Sequence, residues 1–180
     1  MATGKKDTEW SLVRRCLDGD ASAFETIYNL FSDKMYAVSL RYTRQDEDAK
    51  DVLQDAFVRI YKNLDKFQFT GSFEGWCRRI VANTAIESLR KKGRLLETST
   101  EQLPEMEIAP KSLENLKVND LMALVRSLPD GYRSVFNMYV IDGYSHKEIA
   151  DILDVSESTS KTQLYKARLA LQRMIHEQFG

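Results

Sequence analysis

Eight glycines and three prolines in 180 residues leave little material for tight turns. That excludes a strand-rich chain of many short hairpins, a collagen-like repeat and a low-complexity disordered chain. No run approaches the roughly 20 apolar residues that span a bilayer, and Met1-Ala-Thr-Gly-Lys-Lys6 leads into polar sequence, unlike the apolar centre of a signal peptide. The expected location is therefore cytoplasmic. Cysteine is scarce: Cys16 and Cys77 each sit in an apolar helical pattern without CxxC spacing or a neighbouring histidine, so both read as buried packing residues. His146 and His176 are isolated and expected to be exposed. P-loop, GxGxxG, HExxH and GxSxG patterns are also missing. No catalytic residue, cofactor or metal is expected.

What is present is a globular composition, 43% apolar and 29% charged, in a length that suits one domain or two small ones. Net charge is only -1, but the charges are segregated along the chain. Asp46 to Asp55 carries five acids against one Lys, Gly71 to Arg94 six bases against two acids, and Ser158 to His176 four bases and no acid. Such separation points to one acidic face for a protein partner and two basic faces for a polyanion, with ordinary solvated helix faces as the competing reading.

Apolar periodicity predicts helices throughout. Ala49, Val52, Leu53, Ala56, Phe57, Ile60, Tyr61 and Leu64 keep the i, i+3, i+4, i+7 rhythm, as do Phe24, Ile27, Tyr28, Phe31, Met35, Val38 and Tyr42 upstream and Phe73, Trp76, Cys77, Ile80, Thr84 and Ala85 downstream. These segments make a first helical domain, residues 1–94. From 95 to 111 the rhythm lapses, Pro104 and Pro110 occur and the charge turns acidic, as in a flexible linker. It resumes at Leu113, Leu116, Leu121, Leu124, Val125 and Leu128, stops at Pro129 and restarts through Tyr132, Val135, Phe136 and Tyr139, opening a second domain over 112–180. The fold class is all-α.

The second domain ends in the most informative pattern. Ser145-His-Lys-Glu148 has the form of a capping box after Gly143, a short turn follows at Val155-Ser-Glu157, and a last helix carries an inner stripe of Leu164, Ala167, Leu171 and Ile175. This is a helix-turn-helix, which places its second helix in a DNA major groove. Ser158, Thr162, Tyr165 and Lys166 then flank or oppose the stripe and can reach base edges, while Lys161, Arg168 and Arg173 suit phosphates. In the basic helix upstream, Arg79, Asn83 and Arg90 share a face, preceded by Phe67-Gln-Phe-Thr-Gly-Ser-Phe73, an arrangement suited to an unstacked base. Each aromatic taken singly also fits plain core packing. The acids Asp46, Glu47, Asp48, Asp51 and Asp55 form no metal set, because no second helix supplies matching acids or His; the helix dipole favours the earlier ones, while Asp51, Gln54 and Asp55 continue beyond the first turn. A protein interface explains them. A free helix-turn-helix regulator and a nucleic-acid enzyme are the competing functions.

These motifs resemble, nearly end to end, the extracytoplasmic-function (ECF) sigma factors of bacterial RNA polymerase. Leu12-Val-Arg-Arg-Cys-Leu-Asp-Gly-Asp-Ala-Ser-Ala-Phe24 looks like the family's opening, and Asp48-Ala-Lys-Asp-Val-Leu-Gln-Asp-Ala-Phe57 resembles its polymerase-binding helix. The resemblance implies that Asp48, Asp51, Gln54 and Asp55 bind core RNA polymerase. Phe73-Glu-Gly-Trp-Cys-Arg-Arg-Ile-Val-Ala-Asn83 with Leu89-Arg-Lys-Lys92 resembles the segment that captures the melted minus-ten element. That implies DNA contacts by Phe67, Phe69, Phe73, Arg79, Asn83, Arg90 and Lys91. Leu128-Pro129 through Ala150, then Val155 to Arg168, resembles the reader of the minus-thirty-five element, with Ser158, Lys161, Thr162, Tyr165, Lys166 and Arg168 at the duplex. The chain departs from the family at Cys77, Val81 and Glu87, where Leu, Ala and Asp are favoured, and at Lys161-Thr-Gln-Leu164, where Lys-Ser-Arg-Leu is common. The resemblance further implies promoter DNA as ligand and restraint by a separate anti-sigma factor.

Overall fold

The computed structural model describes residues 3–93 and 117–179, with side chains from Thr8 onward. The expected linker, 95–111, and the apolar positions Leu113 and Leu116 lie outside the described residues. Every regular element among the described residues is helical. The chain divides into two compact units, one of Met1–Leu40 with Gln45–Ala85, the other of Arg41–Arg44 with Ile86–Gly180.

The first unit is built on α1 (Thr3–Leu17), α2 (Ala21–Tyr42), α3 (Asp46–Lys62), a single 3-10 turn (Leu64–Lys66) and α4 (Phe73–Lys91). Its turns carry specific signals. Gly19 adopts φ +93° just beyond α1, a conformation glycine reaches without a Cβ clash. Asp20 then caps α2, accepting from the backbone N–H of Ser22 at 3.0 Å and Ala23 at 3.3 Å. Hydrogen bonds from Ser22 and Arg15 hold its carboxyl down at about 2. Asp46, Glu47 and Asp48 fill the first turn of α3, where negative charge meets the positive end of the helix dipole.

The core of this unit is a set of stripes at helical spacing: Ile27, Phe31, Met35 and Val38 of α2, Val52, Ala56, Phe57 and Ile60 of α3, and Phe73, Cys77, Val81 and Ala85 of α4. Burying each large member contributes about 1.5–3 kcal/mol. Cys77 is buried as expected, and burial pushes its thiol well above the ordinary value, whereas Cys16 is only half-buried. Among the expected stripes of this unit, Phe24, Leu53, Trp76 and Ile80 are half-buried and two residues are exposed. Tyr28 and Tyr61 are 42% and 59% exposed, because the buried line of α2 runs through Ala23 and Ile27 and turns Tyr28 away from it.

The second unit contains α5 (Val118–Ser127), α6 (Asp130–Phe136), one π turn (Asn137–Ile141), α7 (His146–Leu153) and α8 (Glu157–Phe179). Leu124, Val125, Leu128 and Tyr132 pack on Ala167, Ala170, Leu171 and Ile175 of α8. Arg133, wholly buried, serves the end of α5: its guanidinium donates to the carbonyls of Arg126 and Leu128, both at 3.0 Å, and pairs with Asp130. Carbonyls that the helix leaves without intrahelical partners are thereby satisfied. The capping box at the start of α7 is formed, with the Ser145 N–H donating to Glu148 at 2.8 Å and the Glu148 N–H donating to Ser145 Oγ at 3.2 Å.

Candidate polymerase and nucleic-acid interfaces

The acidic face lies on α3. Asp51, Gln54 and Asp55 are exposed, turned away from the buried Ala56 and Ile60, and Asp48 is half-buried one turn before the buried Val52. Beside Gln54 opens a groove of about 610 Å³, walled by Phe24 and Tyr28 of α2 and by Leu53, Phe57, Val58 and Tyr61 of α3. Val58 is 47% exposed. An apolar trough with exposed tyrosines, edged by Lys50 and Gln54, has the composition of a protein-binding surface, an aromatic centre within a polar edge. Helical spacing places Tyr28, Leu53 and Tyr61 toward the core, and the trough has no signature in it, because spacing gives a direction and not a covering neighbour.

The 67–73 loop is fastened to its own unit by aromatic packing. Phe67 and Phe73 are 5% and 0% exposed, their centroids 5.2 Å apart, and Trp76 lies 5.6 Å from Phe73 in a stacked arrangement. These two rings support the loop from beneath. Phe69 is the half-exposed ring of the three, and its backbone sits at φ +55°. A bulky residue in that region is a true outlier and stores about 1–3 kcal/mol of strain. Ser72 opens α4 by accepting from the Gly75 N–H at 3.2 Å. Arg79 and Asn83 then sit one turn apart on the exposed side of α4, opposite Cys77 and Val81, with Arg90 and Lys91 exposed in its last turn.

In the second unit α7 and α8 are joined through Asp154, at φ +57°, Val155 and Ser156. Ser156 caps α8, its Oγ accepting from the Thr159 N–H at 3.0 Å. Leu164, Ala167, Leu171 and Ile175 are buried as the periodicity requires, which leaves Ser158, Lys161, Thr162, Tyr165 and Arg168 exposed and Lys166 half-buried. Lys161 lies 3.9 Å from Glu157, a loose exposed pair of little energetic weight.

The family described as Sigma-70 region 2 matches residues 27–95, and that described as Sigma-70, region 4 matches residues 119–171. The ECF RNA polymerase sigma factor SigW of Bacillus subtilis is 30% identical over 178 residues, covering 92% of this chain and 95% of that protein. The chain belongs to the ECF RNA polymerase sigma factors. The sigma-E factor of Escherichia coli K12 is likewise 30% identical, with 93% of this chain and 94% of that protein covered. Among solved structures, CnrH in complex with the cytosolic domain of CnrY superposes with a TM-score of 0.54 at 20% identity, covering 95% of this chain and 99% of the other. The sigma factor RpoE of Bartonella quintana in complex with the anti-sigma factor NepR gives 0.54 at 21%, with 85% and 96% covered. Both likenesses establish the fold.

As a sigma factor the protein is an initiation subunit that directs core polymerase to promoters. The region 2 match takes in α3, the 67–73 loop and α4, and the region 4 match takes in the helix-turn-helix. Among the described residues no helix is long and apolar enough to cross a membrane, and no three His, Cys, Asp or Glu side chains are grouped to hold a metal. His146 departs from the sequence expectation. It is half-buried, stacked on Tyr139 with centroids 4.4 Å apart, and shares a hydrogen bond of 2.9 Å with the buried Ser160 of α8. Burial and the nearby positive charge of Lys161 and Arg168 lower its pKa against the pull of Glu157. His146 thus ties the two helices of the motif together, through a partner fourteen residues away that no local pattern marks.

Proposed function

We propose that the faces of this sigma factor divide its work in chain order. Asp48, Asp51, Gln54 and Asp55, with the apolar trough beside them, dock on core polymerase. Phe69, Asn83, Arg79, Arg90 and Lys91 take the non-template strand of the opened minus-ten element, with Phe67 and Phe73 as the loop's support. Ser158, Lys161, Thr162, Tyr165, Lys166 and Arg168 meet the minus-thirty-five duplex. Residues 1–94 and 112–180 act as the two functional domains, with 95–111 between them. Binding energy does this work without a catalytic group, cofactor or metal.

The observation that carries the reading is the exposure of Asp51 and Asp55 on α3, of Arg79, Arg90 and Lys91 on α4, and of Lys161 and Arg168 on α8. A separate anti-sigma factor supplies restraint, a role supported by the similar fold of RpoE bound to NepR. The expected site of action is the cytoplasm. Run-off transcription with bacterial core polymerase tests the whole: promoter-specific product appears only when this chain is added. Product of equal amount without it, or none with it on promoters selected by the reconstituted holoenzyme, rejects the reading.

Within α8 the base-reading and phosphate-holding roles are separable. Loss of one good base contact costs about 1–3 kcal/mol and relaxes one position, whereas loss of a phosphate contact weakens all sequences alike and flattens the salt dependence. Thr162→Ala and Lys166→Ala are expected to alter the preferred minus-thirty-five sequence, and Arg168→Ala to weaken binding with preference unchanged. Selection from a randomised upstream element distinguishes them. Recovery of the wild-type sequence by both of the first two variants would mean that α8 does not face the groove as assigned.

A further inference from the structure

The loop that carries Phe69 is held from one side by the first helix. Trp10 Nε1–H donates to the Gly71 carbonyl at 3.3 Å, across the loop. The same indole meets Phe69 edge to face, 6.0 Å between centroids at 89°. One turn further along α1, the Arg14 guanidinium lies over the Phe69 ring, 5.2 Å from its centroid. Phe67 completes the enclosure at 5.0 Å. α1 also packs on the Leu64–Lys66 turn that leads into the loop, so helix and loop share one framework.

Plain core packing does not account for this arrangement. Arg14 is exposed and Phe69 half-exposed, so the cation and the ring meet at the surface. The left-handed backbone falls on Phe69, although Gly71, which would adopt it without a Cβ clash, stands two residues on. An aromatic ring is therefore kept where its backbone is disfavoured, and three contacts from α1 over-determine that conformation. Strain that persists because its surroundings enforce it is a mark of a functional position.

We propose that Trp10 and Arg14 are positioning residues that hold Phe69 in its left-handed conformation and thereby set which unpaired base the 67–73 loop accepts. The inference rests on the reading of that loop as the minus-ten capture element. Trp10 fixes the loop's height through Gly71 and the ring's tilt through its edge. Arg14 covers the ring's π face and places positive charge where a single strand's phosphates approach. α1 lies before residue 27, where the region 2 match begins, so it adds a contribution to promoter choice from outside that segment.

The test uses holoenzyme assembled from core polymerase and the full chain, with single-stranded non-template oligonucleotides carrying each base in turn at every minus-ten position. The variants are Trp10→Phe, which keeps a ring edge but removes the donor, Arg14→Gln, Arg14→Lys and Phe69→Ala. Trp10→Phe and Arg14→Gln are expected to lower discrimination at one base position by about fivefold or more. Arg14→Lys restores most of it, and affinity for core polymerase and the thermal midpoint stay at wild-type values. Unchanged discrimination in Trp10→Phe and Arg14→Gln, where Phe69→Ala abolishes it, overturns the positioning role alone. A uniform fall at every position together with a lowered thermal midpoint also overturns it, since that is the signature of a structural contact. Unchanged discrimination in Phe69→Ala overturns the loop reading itself and the positioning role with it.

Discussion

Asp51→Lys with Asp55→Lys is expected to eliminate measurable competition for core polymerase, with at least a hundredfold loss of affinity. The two carboxylates stand one turn apart in the middle of α3, both exposed and both beyond its first turn. Neither the helix dipole nor the core depends on them, so the fold should change by no more than about 0.5 kcal/mol, as for ordinary surface substitutions. At an interface the outcome is different. Placing two lysines opposite a surface selected for acids creates like-charge contacts that cost several kcal/mol, and about 1.4 kcal/mol is a decade in affinity. Pull-down competition against the wild-type chain measures the loss, and circular dichroism checks that helicity survives. Equal competition by the double variant would remove the α3 face from the polymerase interface.

Asn83→Ala is expected to slow promoter opening by one to two decades while leaving closed-complex binding near wild type. Asn83 is exposed on α4, one turn from Arg79, and its amide offers both a donor and an acceptor to a base edge. A base edge left without its partner costs about 1–3 kcal/mol, and stacking on an aromatic side chain is worth a similar amount. That energy is available only once the base has left the duplex, so it favours the open complex over the closed one. Permanganate reactivity of promoter thymines reads opening directly, and gel retardation at low temperature reads the closed complex. Equal reactivity in variant and wild type would sink the assignment of Asn83.

The all-helical class and the helix-turn-helix were legible in the sequence because each rests on local chemistry. A stripe at i, i+3, i+4 and i+7 marks which angular sector of a helix is apolar, and Leu164, Ala167, Leu171 and Ile175 are buried accordingly. Ser145 and Glu148 stand three residues apart, so their capping box needs nothing from elsewhere in the chain. Segregated charge was equally readable, since acids and bases that are close in sequence on one helix face remain close in space.

What the tertiary structure decided concerns which apolar and polar side chains meet a neighbour. Periodicity placed Tyr28 and Tyr61 with the core, yet both line an open trough, because a helical wheel gives a direction and says nothing of whether another element covers it. Phe67, Phe69 and Phe73 looked alike in sequence. Two of them became buried supports, while the third took a left-handed backbone under contacts from Trp10, sixty-one residues before Gly71, and from Arg14. His146 became the tie to Ser160, and Arg133 went to zero exposure to serve the carbonyls at the end of α5. Helix identity follows from short-range spacing and capping. Exposure, strain and partnership depend on residues far away along the chain, and only the folded arrangement brings those together.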